Sequence, residues 1–339
     1  MSELKTLLAP ARGASSGGEA SAGQSFVTFR SGLQAFRLLF LATVACCVLF
    51  SLPAQSQDQS SVVTLKLDHV SFAISDLEAL RASLSSVGLT PGSAEPHGNA
   101  TRTASIRFEN QTAIEMIGPE KSGVIQGSDW VKLITGDAGA CFWAAVTSDL
   151  QQEAVRLKKK GIPVTPPERG SYRRPDGVII EWMTAQVGAG SPGSILPVLV
   201  EDRTPRVWRT QISESARGAS VIGVEKVVIG FTNLDVAVAI FRKVFNWSEP
   251  VTECQEDFGR LAYFPGQPVI LASPAGGGWF ADRLSRFGEG PVAALLGAPD
   301  FNAACKRYRL SKPEIWFGQR VGWFAPDKLK SVRLGVIGE

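Results

Sequence analysis

The stretch Leu67–Leu77, LDHVSFAISDL, decides the fold because the chain repeats it: Val224–Leu234 reads VEKVVIGFTNL, 157 residues later. Each copy is an apolar strand that runs into a Ser/Thr-Asp/Asn-Leu helix start. Ser75 or Asp76, and Thr232 or Asn233, can cap the first free amides of the helix that follows. Amphipathic segments come next, at Glu78–Val87 and Asp235–Phe245. Ser105–Pro119 (SIRFENQTAIEMIGP) and Leu261–Ala275 (LAYFPGQPVILASPA) then read as hairpins, now 156 residues apart. An offset held so nearly constant marks an internal repeat.

Two further versions of the pattern fill the remaining chain. Ala140–Val146 reads as a strand, and Ser148-Asp149-Leu150 starts a helix running to Lys160. Strands are expected at Ile162–Thr165, Val178–Thr184 and Leu196–Glu201. About 151 residues on, Val292–Leu296 reads as a strand, Phe301–Leu310 as a helix and Glu314–Phe317 as a strand. The last strand, near Val332–Ile337, lies close against the C-terminus, so this fourth copy reads as incomplete. The expectation is an α+β fold of βαβββ modules in tandem pairs. A helix covers one face of each module's short sheet, and the other face stays open until a second module packs beside it. Paired modules then form a curved mixed sheet around a cleft, and strand alternation sends every second side chain into it. The expected divisions are a targeting segment at 1–60, a first module pair at 62–203, a linker at 204–217 and a degenerate second pair at 218–339.

Composition excludes several classes. Hydrophobic residues make up 44% and charged residues 20% of the 339, enough for a sizeable core. The net charge is only +3, with no concentrated basic face, so a nucleic-acid partner is not expected. Lys158-Lys159-Lys160 reads as a solvated helix end. Cys46 and Cys47 lie in an apolar run, and Cys141, Cys254 and Cys305 are widely spaced, so neither a disulfide framework nor a zinc finger is supported. Gly276-Gly277-Gly278 reads as a linker without the strand-to-helix context of a phosphate loop.

The first sixty residues concern targeting. Arg30 and Arg37 precede the apolar run Leu38–Leu52, which is short for a bilayer span and suits a signal-peptide core. Ala54 and Ser56 offer small residues at a cleavage site. Export to a periplasmic or secreted location is the expectation, with an uncleaved anchor through 38–52, and so a membrane contact, as the alternative. A start near Val27 or a bipartite targeting sequence also stays open.

The opening LDHVSFAISDLEAL, the His97-Gly98 segment, Thr103–Phe108, the AIEMIG strand, RRPDGVIIEWMTA and the LPVLVED strand together resemble the glyoxalase-like domain family. That family belongs to the vicinal-oxygen-chelate (glyoxalase/bleomycin resistance/dioxygenase) superfamily. The resemblance covers roughly Leu65–Asp202 well and the later half weakly. It implies a divalent metal held by a His from the first strand and a Glu from the last strand of a module, with a matching pair from the partner module. Here His69 and Glu115 match, each a polar residue in an otherwise apolar strand. Phe142 and Lys226 stand at the His position of the second and third modules, and Leu271 replaces the Glu of the third. His97 turned inward would complete a two-His, one-carboxylate set, with Glu201 as a fourth ligand. Glu115 would ligate the metal or move a proton. Arg173 and Arg174 are candidates for reaching an anionic or carbonyl substrate, and Trp143 and Trp182 for lining the cleft; for all four, surface or core roles are the plainer reading. Lyase, isomerase or ring-opening dioxygenase chemistry on a small carbonyl or oxygenated compound is implied. Sequestration of a small molecule without turnover is the alternative.

Overall fold

The computed structural model describes residues 62–98, 100–120, 128–174, 176–191, 193–330 and 332–339, so the targeting expectation for the first sixty residues lies outside the described residues. Among the described residues no helix is long and apolar enough to cross a membrane.

The first module runs β1 (Lys66–Ala73), α1 (Leu77–Ser86), β2 (Glu95–Gly98), β3 (Thr101–Arg107), β4 (Ala113–Pro119). After a crossover helix α2 (Ser128–Thr135), the second runs β5 (Gly139–Val146), α3 (Leu150–Lys159), β6 (Glu168–Arg173), β7 (Ile179–Gln186), β8 (Val198–Asp202). Their strands form one eight-stranded sheet in the order β2-β3-β4-β1-β5-β8-β7-β6. β1 is parallel to β4, β5 is parallel to β8, and the modules meet through antiparallel β1 and β5.

A short helix α4 (Arg206–Arg209) and a 3-10 turn at Glu214–Ala216 lead to the second pair. Its third module runs β9 (Gly223–Gly230), α5 (Leu234–Phe245), β10 (Val251–Gln255), β11 (Gly259–Tyr263), β12 (Val269–Ser273). The crossover helix α6 (Trp279–Phe287) precedes β13 (Gly290–Gly297), α7 (Phe301–Tyr308), β14 (Glu314–Trp316), β15 (Gln319–Trp323) and β16 (Leu334–Gly338). The sheet order β10-β11-β12-β9-β13-β16-β15-β14 repeats that of the first.

The helix starts follow one rule in all four modules. Asp76, Asp149, Asn233 and Asp300 each accept a bond from an amide in the first turn, at 2.8–3.2 Å. Alternation does the rest. Val70 and Phe72 of β1, with Val227 and Ile229 of β9, join Leu80, Leu84, Phe241 and Phe301 of the helices in one core shared by both pairs. His69, Ser71 and Ala73 consequently point to the opposite, concave face.

Several elements differ from the sequence reading. Ile162–Thr165 contributes only an isolated bridge from Val164 to Val187, and the edge strand is β6, a few residues later and mostly exposed. Polar edge strands carry little periodic signal. The fourth module is complete, because β15 hairpins onto β16. The glycines 276–278 do lie between a strand and a helix, β12 and α6, but Gly278 at φ 112° caps that helix without a side-chain bond. The 204–217 segment is bolted down. Arg206 and Arg209 bind Asp68 and Asp202, the Ser213 N–H donates to the Arg107 carbonyl, and Ser215 Oγ donates to the Thr90 carbonyl.

A half-buried arginine joins the pairs where β5 lies against β13. Arg283 of α6 donates to the carbonyls of Ala138 and Ala140 in one pair and of Gly288 and Pro291 in the other. Burial, opposed by Cys141 and aided by Arg286, lowers its pKa to about 10.

Candidate functional site

The site grows from a β-bulge. In β1, Leu67 and Val70 both face the shared core, with two polar residues, Asp68 and His69, between them. Strict alternation cannot satisfy that spacing, and the β1–β5 register shifts between Leu67 and His69. The bulge lets Asp68 and His69 act together: Asp68 Oδ1 lies 2.7 Å from His69 Nδ1. On its other side, His69 Nε2 lies 3.8 Å from Glu115 Oε2. Ser71, paired with Glu115 across β1 and β4, donates its hydroxyl to the same oxygen at 3.3 Å.

Electrostatics tie this row together. Asp68 is 3% exposed and accepts from Arg206 and Arg209, whose guanidiniums also hold Asp202. Burial pushes the Asp68 carboxyl up, but hydrogen bonds and charge from His69 and Arg209 override it and hold it well below the usual carboxylate range. For His69, burial favours the neutral ring. The Glu115 charge and the Asp68 bond and charge outweigh burial and the opposing Arg209, so the pKa is raised. The side chains of His69 and Glu115 keep 19% and 26% of their exposure, so the reactive edge stays open to solvent. Cys141, beneath this row, is inert: burial pushes its thiol up to about 12.

The second module supplies an apolar wall. Phe142 stacks on His69 with ring centroids 5.4 Å apart and 20° between planes. Ala144, Val198, Val200 and Trp182 continue the wall. Trp182 lies flat because Gly170 opposite it has no Cβ; one there would collide with the indole ring. At one end, Ile134 of α2 packs on Ala73, Ile117 and Cys141.

Other residues singled out from sequence lie elsewhere. Trp143 is fully buried in the shared core, on the face opposite Phe142, with Nε1 donating to the Ile195 carbonyl. His97 is exposed on the edge strand β2. Glu201 accepts from the Leu150 amide at the start of α3 and pairs with Arg203, on the helix side of the sheet. Arg173 donates to the Gly177 carbonyl and Arg174 pairs with Asp176, both at the β6–β7 turn. Asp68, Ser71, Arg206 and Arg209 were missed. The sequence signal for Asp68 was the apolar-polar-polar-apolar spacing of LDHV, which marks a bulge.

The residues present do not fit the divalent metal that the resemblance implies. Phe142 holds the place of the second imidazole, and Val198, paired with Ala144 as Glu115 is with Ser71, holds that of the second carboxylate. His97 is exposed on the edge strand and Glu201 caps the start of α3, and among the described residues no group of three or more His, Cys, Asp or Glu side chains could hold a metal ion. The second pair is further from such a site. Lys226 lies at the His69 position, buried, donating to the Gln267 carbonyl. The counterpart of Glu115 is Ile270, paired with Val228 as Glu115 is with Ser71; Leu271 turns into the shared core. The hairpin between matching positions is three residues shorter, from Tyr263 to Ile270 against Ser105 to Glu115, which the linear offset conceals. The second concave face is filled by Phe258, Phe280, Trp316 and Trp323.

The family model described as a glyoxalase-like domain matches residues 67–245, from β1 to the end of α5. The chain belongs to the glyoxalase-like domain family. The match passes beyond the first sheet, and the residues that flank the matched region meet at its end: the Val63 amide donates to the Phe245 carbonyl, and Trp247 Nε1 donates to the Val63 carbonyl. Solved structures share the tandem arrangement. A hypothetical protein from Staphylococcus aureus matches with a TM-score of 0.53 at 12% identity, over 81% of this chain and 100% of that one. A triple mutant of 4-hydroxymandelate synthase from Streptomyces coelicolor matches with a TM-score of 0.55 at 10% identity, over 81% of this chain and 92% of that one. Likeness at this identity concerns the fold alone. No curated protein matches the chain in sequence.

Proposed function

We propose that the first concave face binds a small carbonyl or oxygenated compound and moves a proton at the carbon beside its carbonyl, giving isomerase- or lyase-type chemistry. The observation that carries this reading is the Asp68–His69–Glu115 row, a histidine hydrogen-bonded to Asp68 at Nδ1 with the Glu115 carboxylate 3.8 Å from its Nε2. Asp68 holds the proton on Nδ1, and the raised pKa favours the imidazolium, so Nε2–H is a donor toward an oxygen that gains charge. Glu115, anchored by Ser71 and open to the cleft, takes the carbon-bound proton and returns it. Phe142 and Val198, at the positions of the lost donors, give the row an apolar flank.

The test is solvent exchange. The protein is incubated in D2O with a panel of 2-oxo, 2-hydroxy and 1,3-dicarbonyl compounds, and NMR follows loss of the carbon-bound proton. Exchange that slows about a hundredfold or more in Glu115→Gln and in His69→Gln supports the reading. Exchange that both variants leave unchanged overturns it. Binding by the wild type without exchange on any compound favours sequestration, a reading supported by the apolar wall of Phe142, Val200 and Trp182. The apolar run Leu38–Leu52 supports export of the chain, with anchoring as the alternative; N-terminal sequencing of the mature protein distinguishes them.

A further inference from the structure

We propose that Arg107 is the anion-recognition residue of this cleft, so that the ligand is a small carboxylate with an apolar substituent. The inference deepens the proton-transfer reading by naming the substrate class of the same site. In β3, Ala104 and Ile106 are buried in the shared core, which turns Ser105 and Arg107 onto the concave face with Glu115. Arg107 pairs with Ala113, and Ala113 pairs with His69, so the three stand in one row across β3, β4 and β1. Strand spacing puts the Arg107 and His69 backbones about 10 Å apart. An extended arginine spans more than half of that, and the remaining gap suits a carboxylate attached to a carbon lying at His69 and Glu115. The intervening Ala113 is too small to obstruct it.

The Arg107 guanidinium is half-buried and has no hydrogen-bond or ion-pair partner among the described residues, while its backbone is pinned on both sides by Ser213. The neighbouring Arg206 and Arg209 are committed to Asp68 and Asp202 and are not free for a ligand. An uncommitted, partly desolvated guanidinium, carried on a backbone held by Ser213 on the same face as the reactive row, is suited to bidentate binding of a carboxylate. On the other side of His69, Phe142, Val198 and Trp182 offer the surface for an apolar substituent.

Equilibrium binding tests this without depending on turnover. Phenylacetate and its neutral amide, phenylacetamide, are titrated by calorimetry at low salt against the full chain and Arg107→Gln. The acid is expected to bind about tenfold more tightly than the amide, a preference on the scale of one charge-assisted bond. Arg107→Gln is expected to abolish that preference while the amide affinity stays the same, and Arg107→Lys to restore part of it. Added salt is expected to weaken the acid and not the amide. Equal affinity of the wild type for both probes, binding of neither, or a preference that survives Arg107→Gln overturns the proposal. A charge preference that depends on Arg107 without any solvent exchange would sustain it and sink the proton-transfer reading instead.

Discussion

His69 Nδ1 lies 2.7 Å from Asp68 Oδ1, and two arginines hold the other oxygen of that carboxylate. The histidine is thus one link in a chain of charges that begins in the segment between the two module pairs. Its raised pKa has a defined consequence for stability. A base whose pKa is raised on folding contributes stability that is complete below its unfolded value, near pH 6.5, and that is lost as pH climbs through the folded value. Chemical denaturation between pH 5 and 9 should show stability falling across that window, and His69→Gln should flatten the slope. Asp68 acts in the opposite sense: its contribution is present above the ordinary carboxylate range and lost as pH falls through its depressed value.

Removing the Asp68 charge should be expensive. Asp68→Asn leaves Arg206 and Arg209 facing a neutral group in a largely buried site. Asp202 still holds both guanidiniums, so the expected loss is about 3 kcal/mol, the lower end for a broken buried pair. Urea unfolding measures it, and a double-mutant cycle with Arg209→Met should return a coupling energy well above that of an exposed pair.

The missing donors can be put back. Phe142 stacks on His69, and Val198 takes the place that mirrors Glu115. Phe142→His together with Val198→Glu should create a four-donor site and confer stoichiometric zinc or manganese binding, read by elemental analysis after dialysis. The wild type treated in the same way should retain far less than one equivalent. Stoichiometric metal in the wild type would show that the donor set has been misjudged.

Arg283 should matter to stability more than its distance from the cleft suggests. It satisfies carbonyls from both pairs with no carboxylate partner among the described residues. Arg283→Met strips those carbonyls of their donor, and the expected cost is about 2–4 kcal/mol by thermal or urea denaturation. A loss below about 0.5 kcal/mol would mean that water replaces the guanidinium.

Much of the fold was legible because repetition and alternation are local. The LDHVSFAISDL and VEKVVIGFTNL copies, their Asp and Asn caps and the hairpins after them all reappear as strands, capped helices and hairpins. The polar edge strand β6 and the short β15 were not legible, nor were the crossover helices α2 and α6, which lack a place in the repeated unit. In the site, His69 and Glu115 stood out as polar residues in apolar strands. Register placed Phe142 at the His69 position, but Trp143, the next aromatic in the same apolar strand, read as a candidate for the cleft as well, and one residue of register sends it to the core instead.

The sequence by itself determined the module, its repetition and the loss of the symmetric metal ligands, because periodicity, caps and residue identity are properties of neighbours along the chain. Only the tertiary structure decided which polar groups meet. A bulge turned Asp68 toward His69, a shorter hairpin put Ile270 rather than Leu271 opposite Val228, and the segment after β8 brought Arg206 and Arg209 onto Asp68. The LDHV spacing hints at the bulge, but the arginine contacts depend on chain return over more than a hundred residues and the Ile270 pairing on strand register, and no local pattern encodes either.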